Sequence, residues 1–165
     1  MDGFVIDAFA FCRLKEGRQG ELPVAELSRL SAETADSSGA LQWSLQGGAD
    51  QYGHPQLTLS VTGQLRLKCQ RCLQALEQHI DSTSVLVLAQ DDASADEIED
   101  LLADDEVEVI VGSQSFDLLQ VIEDEALLAL PVSPKHKVCP DQTTLEKLTE
   151  EKKESPFSVL KNLKK

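Results

Sequence analysis

Aromatic residues are scarce. At 4% of 165 residues, with one Trp and one Tyr, the chain has no stock of rings for an extended base-stacking surface. Aliphatic side chains must fill most of any core, and a 41% apolar content is enough for one. No apolar run approaches the roughly 20 residues that span a bilayer. The first basic residue is Arg13, after Asp2 and Asp7, so the start lacks the pattern of a secretory signal. Both absences point to the cytoplasm, where thiols stay reduced and a Cys-x-x-Cys pair is more often metal-binding or catalytic than a disulfide. A phosphate-cradling glycine loop is missing too, and His54 and His79 have no implied Ser or Cys partner.

Positive charge is missing from half the chain. Between Arg71 and Lys135 there is no Lys or Arg, while 16 acidic residues fall in that interval. The net charge of -14 divides into -17 for residues 1–134 and +3 for residues 135–165. Most of the surface therefore repels phosphate, and binding driven by counterion release has few places to act. RNA or partner contact is confined to Arg66, Lys68, Arg71, Lys135 and Lys137 near the cysteines, and to the tail. There Phe157, Leu160, Lys161, Lys164 and Lys165 form a basic, apolar segment at helical spacing. The acidic remainder suits a basic partner such as a ribosomal protein.

Periodicity predicts an α+β domain, mainly antiparallel sheet, over residues 1–140, with a flexible charged tail at 141–165. Pro23, Val24, Leu27 and Leu30 predict a helix over 23–36. Leu41, Trp43 and Leu45 alternate as a strand, and GGADQYGHP at 47–55 reads as a loop. From Leu57 to Cys69 apolar residues hold odd positions and polar ones even positions, the mark of a half-buried strand, with Gly63 a candidate bulge. A second strand over 76–87 would put CQRC at a hairpin tip. Residues 90–106 read as a mobile acidic loop with a turn of helix at 98–102, followed by strand alternation at Val107, Val109 and Val111. DLLQVIEDEALLALP predicts a buried helix at about 117–130, capped by Asp117 and stopped by Pro131 and Pro134. Beyond Pro140 the composition turns to Lys, Glu and Thr, with an exposed helix expected at 142–153.

Cys69-x-x-Cys72 and His136-x-x-Cys139 have the spacing of two halves of a zinc knuckle, three thiolates and one imidazole closing a tetrahedral structural site. The basic residues around them would lower thiol pKa values and offset the charge of such a site. The alternative is three thiols packed as small apolar residues and a solvated His136. A redox pair belongs at a helix N-terminus in a βαβ unit, whereas this one ends an alternating strand. Cys12 closes the apolar FAFC run and is expected to be buried. Catalysis has little support: nothing fixes two carboxylates at one site, and Glu123, Asp124 and Glu125 most simply form the exposed stripe of their helix.

Taken in order, LKCQRCLQAL, DLLQVIEDEALLALPVSPKH and SPFSVLKNLKK resemble the YceD family along most of the chain. The resemblance implies a cytoplasmic protein supporting synthesis, processing or stability of 23S rRNA, with no established catalytic activity. It assigns Cys69, Arg71 and Cys72 to a CxRC motif, Glu123, Asp124 and Glu125 to an acidic helix motif, and Pro156, Phe157 and Leu160 to the tail motif. The expected function is a non-enzymatic ribosome-biogenesis factor that binds large-subunit rRNA or a basic ribosomal protein, with a structural zinc as its one candidate cofactor. Two alternatives stand beside it: a metal-dependent nuclease acting on RNA, and a zinc-stabilised chaperone for a ribosomal protein.

Overall fold

The computed structural model describes residues 2–140. The expectations for 141–165, including the helix at 142–153 and contacts by Phe157, Leu160, Lys161, Lys164 and Lys165, lie outside the described residues.

A five-stranded sheet organises the chain. In spatial order it runs β2 (Gly17–Pro23), β3 (Ala40–Ala49), β4 (Pro55–Lys68), β5 (Ala75–Ala89) and β6 (Glu108–Val111). The first four are antiparallel neighbours, and β6 joins β5 in parallel. A two-stranded ladder of β1 (Val5–Ile6) and β7 (Phe116–Asp117) ties the N-terminal segment to the helix that begins at Leu118.

β4 is the strand that the alternation makes legible. Leu57, Leu59, Val61, Leu65 and Leu67 are at most 2% exposed, and each such leucine contributes about 1.5–3 kcal/mol by leaving water. Gly63 forms no bulge: it pairs in register with Leu41 on one side and Ile80 on the other. The opposite face is polar at its centre, where the Ser60 and Thr83 hydroxyls meet at 2.9 Å across β4 and β5. One face packed and one solvated is the usual state of an antiparallel sheet.

Three helices pack on the apolar face. α1 (Ala8–Arg13) is capped by Asp7, whose carboxylate accepts the Ala10 N–H at 3.0 Å. It lies against β3 at Gly47, where a Cβ would come within 2.5 Å of the Phe11 carbonyl oxygen. α2 spans only Ser28–Glu33, so the helix expected over 23–36 is corrected. Pro23 ends β2 opposite Ala40, and Val24–Glu26 form a single 3-10 turn before α2. The buried set Val24, Leu27 and Leu30 was legible, but it belongs to a turn and a short helix. α4 (Leu118–Leu128) starts at Asp117, which accepts the N–H groups of Leu119 and Gln120, and it buries Leu118, Ile122 and Ala126.

The loop expected over 47–55 is shorter, because β3 continues through Ala49 and the turn begins at Asp50. The acidic segment is a helix: α3 (Asp92–Leu101) is capped by Asp91 and sets Ile98, with Leu102 beyond its end, against Val87 and Ala89 of β5. Val87 and Ala89 alternate with Leu86 and Leu88 of the main core, so α3 covers the opposite face of the sheet at that end.

Candidate metal centre

The β4–β5 ladder runs out at Lys68 and Ala75, and the six residues between form the knuckle. The Cys69 N–H donates to the Gln74 carbonyl at 2.9 Å, and the Leu73 N–H turns back to the Cys69 carbonyl at 3.0 Å. Leu73 takes a left-handed φ of 62°, which reverses the chain directly after Cys72. This coiling brings Cys72 back beside Cys69, as the spacing predicts. Cys69 ends a core-facing position of β4, is fully buried, and accepts the Arg71 N–H through its sulfur at 3.4 Å.

The second half arrives from α4. After Pro131 the chain crosses to the knuckle, where the Gln70 N–H donates to the Pro134 carbonyl at 2.8 Å. The His136 N–H then points at the Cys69 sulfur at 3.4 Å. His136 Nδ1 lies 3.3 Å from Cys72 Sγ, and Nε2 lies 3.2 Å from the Ala75 carbonyl oxygen. That carbonyl can only accept, so it favours the proton on Nε2 and leaves Nδ1 as the electron-pair donor facing the thiols. Sequence reading found His136 but had no signal for Ala75 as the group that orients it.

Donor atoms of Cys69, Cys72, His136 and Cys139 all lie within 4.8 Å of one another. Zinc held by bonds of about 2.3 Å sets its ligands roughly 3.8 Å apart, so closure needs shifts of at most about 1 Å. No disulfide links these cysteines. The three sulfurs form a cluster of their own, apart from the main core, with Leu76, among the described residues, as the one partly buried hydrophobic packed on them. Such a cluster is a poor apolar core and a good donor set. The four residues fit a tetrahedral metal.

Electrostatics divide the thiols. Burial would push Cys69 up, but the N–H groups of Cys72, His136 and Arg71, with the His136 ring, bring it down to about 5. Cys139 goes up to about 11, through burial and then through hydrogen bonds to the Cys72 and Cys69 sulfurs beside their negative charge. Cys12 is a different case. It is a buried residue of α1, donates to the Gln56 carbonyl at 3.3 Å, and is raised by desolvation, the environment of an unreactive thiol.

Around the cluster Lys68, Arg71, Lys135 and Lys137 are exposed. None is ion-paired among the described residues, whereas Arg66 is bound to Asp36 at 2.7 Å. The expected exposed stripe of Glu123, Asp124 and Glu125 is corrected. Glu123 is 7% exposed and accepts the backbone N–H groups of Arg29 and Leu30 at 2.7 and 3.0 Å, plus Arg29 Nε at 3.0 Å. Asp124 takes the Arg29 guanidinium, and Glu125 accepts the Ser82 hydroxyl. All three clamp α4 to α2 and β5. Arg29 was missed because its partners lie more than 90 residues away.

These features define an α+β protein on one largely antiparallel sheet, with a knuckle-type Cys3His cluster at a hairpin tip. The family model described as large ribosomal RNA subunit accumulation protein YceD matches residues 57–164, from the third residue of β4 through both halves of the cluster. The chain belongs to the YceD family. The large ribosomal RNA subunit accumulation protein YceD of Haemophilus influenzae is 30% identical over 124 residues, which covers 68% of this chain and 70% of that one. No solved structure matches the chain.

Proposed function

We propose that the protein is a cytoplasmic, non-enzymatic factor in biogenesis of the large ribosomal subunit. It supports synthesis, processing or stability of 23S rRNA by contacting that RNA at the Cys3His end. Membership of a family named for large-subunit rRNA accumulation supports the process. The observation that carries the contact site is the grouping of Lys68 at the end of β4, Arg71 in the knuckle, and Lys135 and Lys137 on the loop after α4 around one donor set, on a chain of net charge -14.

Zinc is the metal the donors select, because soft thiolates with one imidazole in a closed tetrahedral set leave no open position for chemistry. Its role is to lock the knuckle to the loop after α4 and so fix the spacing of the four cations. Residues 1–140 form the binding body in this reading. Residues 141–165 form a charged arm, whose Phe157, Leu160, Lys161, Lys164 and Lys165 extend the contact.

The test is genetic and biochemical together. Cells lacking the gene should show reduced mature 23S rRNA, and a Lys135→Glu/Lys137→Glu copy should fail to restore it. Purified protein should retain large-subunit rRNA with an affinity that falls as salt rises. Normal precursor and mature 23S rRNA in the deletion would overturn the reading. Cleavage of precursor rRNA by pure protein with magnesium would replace it with an enzyme.

A further inference from the structure

The molecule has two poles. Four cations, unpaired among the described residues, sit at the β4–β5 hairpin tip, and Arg13 and Lys15 lie beside the turn after β3. α3 follows the other end of β5, 15 residues along the strand, or about 45 Å at 3.3 Å per residue. Between Asp91 and Glu108 the chain carries 10 acidic residues and no basic one. All are exposed, and none is ion-paired among the described residues. Charge repulsion of this kind opposes folding unless something offsets it.

Beside these carboxylates lies a groove in two parts, one of mixed lining and one mainly apolar. One cavity of about 430 Å³ runs between the turn after β3 and the end of α3, where Asp50, Gln51 and Gln56 line it beside Val87, Leu102 and Val107, with Asp105 and Glu106 on its rim. The other, of about 270 Å³, is lined by Phe9, Pro55, Leu88 and Ile98, with Glu97 at its edge. The Asp50–Pro55 turn borders both. On that turn Tyr52, the single Tyr of the chain, is 53% exposed beside His54. A partly apolar lining, an anionic rim and an exposed aromatic together suit a polypeptide.

We infer that this groove binds a Lys/Arg-rich segment of a partner protein, with aliphatic residues entering the two cavities and cations meeting Glu97, Asp105 and Glu106. The inference deepens, and rests on, the reading of the protein as a ribosome-biogenesis factor with basic partners. Charge complementarity selects the occupant. RNA is disfavoured, because its phosphates would face unneutralised carboxylates. The chain's own residues 155–165 have similar chemistry, but the described chain ends at the opposite pole. The 15 residues from Pro140 to Ser155 reach at most about 3.3–3.6 Å each, so they would have to run almost fully extended.

The experiment uses the full-length protein, isotope-labelled, titrated with a synthetic peptide of alternating Lys-Arg pairs and leucines. A control peptide carries Glu in place of every cation. Saturable amide shifts are expected around Val87, Ile98, Leu102, Val107 and the Asp50–Pro55 turn, with no response to the control. Asp105→Lys/Glu106→Lys should weaken binding at least about tenfold, and Lys135→Glu/Lys137→Glu should not weaken it. Equal binding of the control, shifts confined to the Cys3His end, or indifference to the charge reversal would each overturn the inference. So would the same shifts produced by an rRNA fragment. Lys161→Glu/Lys164→Glu/Lys165→Glu shifting these amides without peptide would overturn it in favour of the chain's own tail. The titration contains no ribosome, so its failure leaves the 23S rRNA reading standing, and normal 23S rRNA in the deletion leaves the titration result standing.

Discussion

The carboxylate of Glu123 on α4 accepts the backbone N–H of Leu30 at 3.0 Å, across 93 residues of sequence. It also holds the Arg29 N–H at 2.7 Å, so one acidic side chain satisfies two donors at the start of α2. The acidic helix motif thereby acts as an internal fastener between two helices.

Removing that fastener should be costly. Glu123→Ala leaves two backbone donors and Arg29 Nε without their acceptor, while Asp124 still holds the rest of the guanidinium, and each uncompensated buried donor costs about 1–3 kcal/mol. A loss of about 2–4 kcal/mol is expected in urea unfolding. Glu123→Gln, which keeps one acceptor oxygen, should fall between. A Glu123→Ala protein within about 0.5 kcal/mol of the parent would show that water replaces the carboxylate.

The Cys3His cluster makes a separate prediction. Protein purified without chelator should carry one zinc per chain, and Cys72→Ser or Cys139→Ser should lose it. Stripping the metal should raise amide exchange over 69–76 and 131–140, while the centre of β4 keeps its protection. Elemental analysis finding no metal would leave the cluster as packed thiols. Unchanged exchange after stripping would mean that the Gln70–Pro134 and His136–Ala75 bonds alone hold the corner.

Legibility in the sequence followed burial pattern and chain distance. β4 was readable because one face is dry from Leu57 to Leu67, and that forces a strict period of two. The knuckle was readable because two ligands sit within one turn, and α4 because Asp117 announces its start. α1 was missed because Ala8–Arg13 is under two turns long, too short for apolar periodicity to repeat. α3 was obscured by its charge: Ala95, Ile98 and Leu102 hold helical spacing, but acidic residues around them read as a solvated loop. The burial of Glu123 had no local signal at all, since its partners come from α2.

Close packing at Gly47 can be tested by adding one methyl group. The added Cβ would meet the Phe11 carbonyl oxygen at 2.5 Å and the Cys12 Cα at 3.0 Å, both backbone atoms. α1 would have to move off β3, at about 1–3 kcal/mol. Gly48→Ala is the matched control, because no atom lies within 4 Å of its Cβ position. The expected result is a lower thermal midpoint for Gly47→Ala alone. Equal midpoints for the two variants would place α1 farther from the sheet.

The turn after β3 should give the protein an acid-sensitive step. Burial of Asp50 would raise its carboxyl, but the His54 ring, the His54 N–H and the Tyr52 N–H, all donating to it, hold it below the usual aspartate value. A carboxyl lowered on folding stabilises the folded state above its unfolded pKa of about 3.9. That contribution disappears as the pH falls through the lower folded value. Asp50→Asn should therefore be less stable than the parent at pH 7, and the gap should narrow below about pH 4. Urea midpoints measured for both proteins from neutral to acid pH decide it. A gap that stays constant over the whole range would mean that the turn depends on the shape of the side chain and not on its charge.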